Sequence, residues 1–465
     1  MITGPLPHPG WRIPLVGDIL AINPKQKAQV LSKVVTELGG VCEIKSFGYR
    51  IVAVSDAQLI KDINNEAHFE KSIGKVSNNL ESLGGDGLFT VANENPKWRR
   101  AHDILSPAFL KDALIKYQAA IVGTVNETVL ILGQAAAEEE WVNIEELFSR
   151  LTIEIIGRVG FGYSFGPLSD DVKFISSLLA ELRYANRMTA AFPWYEKMLT
   201  PRRVAHHNAN ISYLRDTAQE IIEYRKSKGQ YNVGENLLSY LLLSTNNQQE
   251  TALSDDDIKD QMLTFLLAGS ETSSSSLAFC LHYLSQNPTM LQKARKEIIA
   301  LKPEGEPALW PQFPELGKLR YLRCIIDESL RLWPPIPVYL RQAKHDITIG
   351  NGRFKFCQDD WAIVLVLAAH RDKKTWGHDA TQFYPERFYL KNSSQGAERI
   401  FRPFGTGPRA CIGRQLAYQE MLTTLAIILK RFDLESDPSY NLRVSERPAL
   451  KPEGLRLKFL NRDTP

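Results

Sequence analysis

The sequence predicts a mainly α-helical fold with small β-sheets at one side, and three observations carry that expectation. The apolar pattern of residues 97–300 is helical almost throughout. One stretch inside it, Asp255 to Gln286, runs for 32 residues without a firm breaker. Segments with strand character are short and lie outside that helical stretch.

Taken in order, residues 41–54 alternate and favour β-branched types, which predicts a strand pair. Ser254 ahead of Asp255, Asp256 and Asp257 marks a helix start, with a cap-capable hydroxyl and acids in the first turn. Asn287-Pro288 ends that helix. At 1.5 Å per residue it would be about 48 Å long, which requires a wide body around it. Its middle, Met262 to Leu267, is apolar on every side and must be buried. Short strands are expected at 346–349, 353–356 and 362–367, then a helix over 414–430. Residues 441–444 and 455–459 are expected to form a terminal strand pair.

The chain of 465 residues is 44% hydrophobic and 23% charged, ordinary for a soluble globular protein. Its length alone would allow two or three domains, but no Gly/Ser-rich or charged linker divides it, so one domain is expected over 1–465. Fifty-six basic residues against 53 acidic ones leave +3, too balanced to imply nucleic acid. Cys42, Cys280, Cys324, Cys357 and Cys411 are scattered and lack Cys-x-x-Cys spacing, which reads as reduced thiols in a cytoplasmic protein. The proline-rich start has no basic segment followed by an apolar core, and the apolar run 361–369 is too short to span a bilayer. Neither a signal peptide nor a transmembrane anchor is therefore expected.

Chemistry enters at Cys411. Phe404-Gly405-Thr406-Gly407-Pro408-Arg409-Ala410-Cys411-Ile412-Gly413 sets one cysteine in a turn with three glycines and an arginine two residues before it. The glycines allow tight backbone angles and let main-chain N–H groups approach the sulfur. Such donors, with the start of the next helix, would stabilise a thiolate. Lone cysteines before helices are usually buried structural thiols, but the register of all ten residues argues against that here. This segment resembles the haem-thiolate signature of the cytochrome P450 superfamily, and the resemblance extends over nearly the whole chain. Four further stretches are similar to a narrower branch, the haem domains of bacterial fatty-acid hydroxylases with a fused reductase. They are Gly85-Asp86-Gly87-Leu88-Phe89-Thr90, Phe265-Leu266-Leu267-Ala268-Gly269, His370-Arg371-Asp372-Lys373 and Leu450-Lys451-Pro452-Glu453-Gly454.

The resemblance implies a triangular helical prism with its long helix over haem b (iron protoporphyrin IX). Cys411 would be the axial iron ligand, with Gly405, Ile412 and Gly413 around it and Phe404 shielding the iron–sulfur bond. A thiolate in that place pushes electron density onto iron and favours O–O cleavage. Ala268-Gly269-Ser270-Glu271-Thr272 puts an acid and a hydroxyl mid-helix, costly unless both find partners. Gly269 would admit a flat cofactor, and Thr272 could bond back to the Ala268 carbonyl and open the helix locally. Glu271 would relay protons from solvent. A bent helix with a satisfied threonine is the plain alternative.

Glu328 and Arg331 lie three apart on one helix face among apolar neighbours. They match the family's Glu-x-x-Arg pair, and Arg387 matches its third member. The trio is expected to be buried and to brace the cysteine loop. Arg409 is the local candidate for a haem propionate, with Trp98, Arg341 and His102 as further partners by resemblance. His370 reads as a structural hydrogen-bonding residue. Phe89, Leu267, Ala268, Ile336, Val338 and Pro448 would line an apolar pocket, although aliphatic residues are usually ordinary core.

The chain departs from that branch at the channel mouth. Fatty-acid-hydroxylating relatives hold the carboxylate with an arginine and a tyrosine on the early strand pair. In Phe47-Gly48-Tyr49-Arg50-Ile51-Val52-Ala53, Tyr49 takes the arginine place and Ala53 the tyrosine place, while Arg50 could compensate only after a shift. Ser270 stands where the branch often carries histidine. The expectation is a monooxygenase that puts one atom of O2 into a small apolar substrate, fatty acid or otherwise. Its electrons would come from NADPH through a flavin (FAD/FMN) or ferredoxin-type reductase, fused or separate. Peroxide-driven chemistry on the same scaffold and a non-catalytic haem protein that senses gas are the competing readings.

Overall fold

The computed structural model describes residues 6–10, 12, 17–18, 23, 25–46, 49–72, 80–170, 172–188, 200–229, 235–245, 253–301, 310–389, 400–447 and 449–462. The chain divides into two units, 1–74 with 327–411 and 75–326 with 412–465. It passes between them within the helix Arg320–Leu332 and directly after Cys411.

In the first unit, β1 (Val41–Ser46), β2 (Tyr49–Val54), β3 (Phe69–Ser72), β5 (Val338–Ala343) and β8 (Trp361–Leu365) form a sheet in the order β1-β2-β8-β5-β3. All pairings are antiparallel except β2 with β8. Period-two alternation assigns the faces. Val52 and Val54 pack with Leu59, Ile60 and Ile63 of the helix Ala57–Ile63. Ile44 and Ala53 pack on the other face with Leu31 and Val35 of the helix Lys27–Glu37. A separate hairpin, β6 (Ile347–Ile349) with β7 (Phe354–Phe356), turns through Gly350, Asn351 and Gly352, all at positive φ. The strand expected over 362–367 ends at Leu365, because Val366–Ala369 is a helical turn whose first carbonyl accepts the His370 N–H at 2.8 Å.

The second unit is helical. The long helix has the expected bounds, Asp255–Gln286, and the expected start: Ser254 Oγ accepts the Asp257 N–H at 3.1 Å, and Asp257 Oδ2 accepts the Ser254 N–H at 3.0 Å. Ser270 and Ser273 to Ser276 inside it are buried. Ser270 donates to the Leu266 carbonyl (2.6 Å), Ser274 to Glu271 (3.2 Å) and Ser276 to Thr272 (2.8 Å), while Ser275 donates to the Leu450 carbonyl. Small side chains that return their hydroxyls to the backbone suit close packing. The helix Lys111–Ala137 is long and apolar enough to cross a membrane, but Leu114, Tyr117, Ile121, Val125 and Leu132 are core residues.

The terminal strands pair differently from expectation. β10 (Val444–Glu446) pairs with β11 (Leu450–Pro452), whereas β12 (Arg456–Asn461) lies between β4 (Val142–Asn143) and β9 (Phe432–Ser436). Alternation identifies a strand but not its neighbour.

Candidate active site

The first unit carries the cysteine loop. Gly405 and Gly407 both sit at φ +70, a left-handed conformation that side chains resist, whereas Gly413 at φ −81 is an ordinary helix cap. A Cβ at Gly407 would collide with Glu66 Oε1. The Cys411 N–H donates to the Phe404 carbonyl at 2.9 Å and the Ala410 N–H to Gly407 at 3.0 Å, so these two amides serve the turn itself. Cys411 is exposed and outside any disulfide.

Behind the loop the expected brace is present, with Glu328 and Arg331 fully buried and Arg387 partly so. Arg331 Nε and Nη2 donate to Glu328 at 2.7 and 2.8 Å, Arg387 Nε donates to Glu328 at 3.0 Å, and the Tyr384 N–H adds a 2.8 Å bond. Arg331 also donates to the carbonyls of His370 (2.7 Å), Ala380 (2.6 Å) and Gln382 (3.1 Å). His370 passes the constraint onward: its Nε2 accepts the Arg402 N–H at 3.0 Å, and the Arg402 carbonyl accepts the Gly405 N–H at 3.1 Å. Burial pushes the His370 imidazole down to about 3, so it stays neutral and structural.

A residue missed in the sequence joins this loop. Burial, reinforced by repulsion from Arg409 and opposed by attraction to Cys411, lowers the Lys71 ammonium to about 8. Arg341 adds to the repulsion, so two arginines and the cysteine all act on Lys71. Arg341 is partly committed: it pairs with Glu66 (2.9 Å) and donates to the carbonyls of Ile63 (3.3 Å) and Phe69 (2.9 Å). A cationic cluster next to a thiol suits a dianionic group with a metal at its centre. Lys71, at the end of β3, has no sequence signature of its own.

Arg50 cannot supply the missing carboxylate anchor. It pairs with Glu43 at 2.9 Å and with Asp360, and a register slip would move Val52 and Val54 off their core face. Ala53 is buried, and the Tyr49 side chain lies outside the described residues. Ile336 is exposed and Val338 half-buried.

The second unit carries the acid and alcohol. Thr272 Oγ1 donates to the Ala268 carbonyl at 2.7 Å, as expected. Between Ile258 and Leu284 the helix is largely buried, yet Ala268 is exposed and Leu267, Gly269 and Thr272 are half-buried. A Cβ at Gly269 would press on Ile156 at 2.8 Å, so the glycine allows close packing of the helix Ile144–Ile156. Glu271 does not itself face solvent. It is buried and paired with buried Lys451 on β11 at 2.8 Å. Lys451 lies 4.0 Å from the partly exposed Glu145 and 3.4 Å from Ser149 Oγ. Burial raises the Glu271 carboxyl, and Lys451 opposes that rise. The motif containing Lys451 was visible, but its role was not.

Trp98 and His102, one turn apart on the helix Pro96–Leu105, stack with ring centres 5.0 Å apart. Phe89 is 43% exposed at the end of its glycine loop. Pro448 lies outside the described residues.

These features agree with the comparisons. The cytochrome P450 family model matches residues 7–459. A solved structure titled as a cytochrome P450, CYP102L1, superposes with a TM-score of 0.87 at 40% identity, covering 98% of this chain and 99% of that one. The chain is 31% identical over 99% of its length to a bifunctional cytochrome P450/NADPH–P450 reductase 2 of Bacillus subtilis, of which it spans 43%. It is 30% identical to a self-sufficient cytochrome P450 monooxygenase, CYP505E3, of Phanerodontia chrysosporium, again spanning 43% of that protein. The mainly helical chain with small sheets belongs to the cytochrome P450 family. It spans less than half the length of these curated relatives.

Proposed function

We propose that residues 1–465 form the haem domain of a thiolate-ligated monooxygenase acting on a small, uncharged, apolar substrate. The observation that carries this reading is Cys411 held exposed in a left-handed glycine turn and braced from behind, with Lys71 close enough to feel it and Arg341 and Arg409 acting on Lys71. Cys411 would hold haem iron, and the three cations would hold propionates. Bound haem supplies the activation of dioxygen and the transfer of one oxygen atom.

The protein's own residues manage protons and exclude charge. Thr272 keeps its hydroxyl hydrogen on the Ala268 carbonyl, which leaves its oxygen to accept from a water. Glu271 stores a proton in a buried place, and Lys451 and Glu145 connect it outward. Phe89, Leu267 and Ala268 offer apolar surface in one unit, Ile336 and Val338 in the other. Charged substrates gain nothing from Arg50, which Glu43 and Asp360 occupy. NADPH electrons would arrive through a flavin or ferredoxin-type reductase; the printed names of the relatives support a fused NADPH–P450 reductase. Scattered cysteines without disulfides fit a cytoplasmic setting.

The test supplies the protein with NADPH and a reductase and analyses products from matched long-chain alcohols and carboxylic acids. The alcohols should bind more tightly, by the spin shift, and be hydroxylated; equal or tighter binding of the acids contradicts the substrate reading. Thr272→Ala should keep reductant consumption while product falls by about tenfold. Unchanged coupling contradicts the proton role.

A further inference from the structure

The loop that carries Phe89 is fastened to the long helix at several points, one of them a buried carboxylate. Asp260 Oδ2 accepts the Asp86 N–H at 2.9 Å. Its other oxygen accepts Arg215 Nη1 at 2.8 Å, from the helix Pro201–Ser227. One residue on, Gln261 Oε1 accepts the Leu88 N–H at 3.0 Å. Glycine makes this approach possible: Gly85 sits at φ +46, a Cβ there would collide with the Asp260 carboxylate, and a Cβ at Gly87 would collide with Thr264 Oγ1. Lys97 ties Asp86 to Asp257 at 2.7 and 2.9 Å, and Thr90 Oγ1 closes the loop on the Gly85 carbonyl. Phe89 is thus an exposed ring on a loop whose backbone is pinned immediately before it. Asp260 is buried, and Arg215 offsets the cost of keeping its charge there.

We propose that Asp260 is a positioning residue for substrate selection, fixing the Phe89 loop through the Asp86 backbone, beside the Gln261 bond to Leu88, and coupling it through Arg215 to the helix Pro201–Ser227. The inference rests on Phe89 being a pocket residue in the reading above. A loop fixed by backbone bonds to a rigid helix holds its ring more narrowly than one held by exposed side chains. The Arg215 link means that a ligand displacing the helix Pro201–Ser227 also loads the Phe89 loop. Releasing Asp260 therefore widens the shapes accepted beside Phe89 without touching the cysteine loop.

The experiment uses haem-loaded protein and the variants Asp260→Ala, Asp260→Asn, Arg215→Gln and Phe89→Ala. Amide hydrogen exchange over residues 84–90 should rise by about tenfold in Asp260→Ala and less in Asp260→Asn, which keeps an acceptor for Asp86. Affinity for phenylimidazole relative to imidazole, read from the haem Soret shift, should change by about threefold in Asp260→Ala and Arg215→Gln, in the direction of Phe89→Ala. Arg215 is a partly exposed helix residue, so its variant covers the case in which Asp260→Ala fails to fold. An unchanged ratio in both variants while Phe89→Ala moves it overturns the proposal, even if exchange is faster, because Asp260 is then merely structural. An unmoved ratio in Phe89→Ala removes Phe89 from the pocket and the proposal with it. A wild type with no haem Soret band fails the underlying reading instead.

Discussion

Two buried acid–base clusters, one in each unit, are built in opposite ways. Glu328 accepts from Arg331 twice, from Arg387 and from the Tyr384 N–H, and Arg331 donates onward to three carbonyls. Glu271 accepts from Lys451 alone among the described residues, with Glu145 and Arg183 acting from farther off. A carboxylate surrounded by fixed donors is held as a charge, and its cluster serves architecture. A carboxylate with one flexible ammonium beside it, raised by burial, stays ready to exchange a proton. The difference separates a brace from a relay more clearly than burial does, since both clusters are buried.

The largest effect should come from breaking the brace. Arg331→Leu leaves Glu328 charged and buried and should cost about 3–5 kcal/mol in chemical unfolding. A loss below about 1 kcal/mol would return the trio to surface-like weakness. The relay should respond in chemistry more than in stability. Lys451→Met removes the cation that opposes the rise of Glu271, so the pH at which product formation changes should move upward by about 1–3 units. An unmoved profile with lowered stability would make Lys451 structural.

Glu420 gives a smaller effect and a third type. Buried on the helix Arg414–Arg431 and bonded to Ser273, it is raised by burial to about 8. The folded chain holds this proton between the ordinary carboxylate range and about 8, while the unfolded chain has already released it. Its share of stability is therefore complete at low pH and declines as pH rises through that window. Glu420→Gln should flatten the decline, by at most about 1.4 kcal/mol per pH unit in unfolding free energy. An identical pH slope in the two proteins would contradict the neutral acid.

Legibility followed sequence separation. The long helix announced both ends, through the Ser254 cap and Asn287-Pro288. The Glu328–Arg331 pair announced itself because i and i+3 share a helix face. Cys411 stood out because an aromatic, three glycines and an arginine fall in register around it, and two of those glycines proved left-handed. Lys451 and Glu271 are 180 positions apart, and Asp86 and Asp260 are 174 apart, so no local pattern could join them. Gly269 was visible, but its packing against Ile156 was not, because a glycine in a helix does not reveal which neighbour needs the space. The terminal strands were found, but partner choice depends on the tertiary fold.

The central claim is thiolate ligation by Cys411, and the carbon monoxide spectrum of the reduced holoprotein tests it most directly. The account predicts the long-wavelength Soret band after which this family is named, lost in Cys411→Ser and retained in Lys451→Met. Absence of that band in the wild type, or its persistence in Cys411→Ser, would contradict the account.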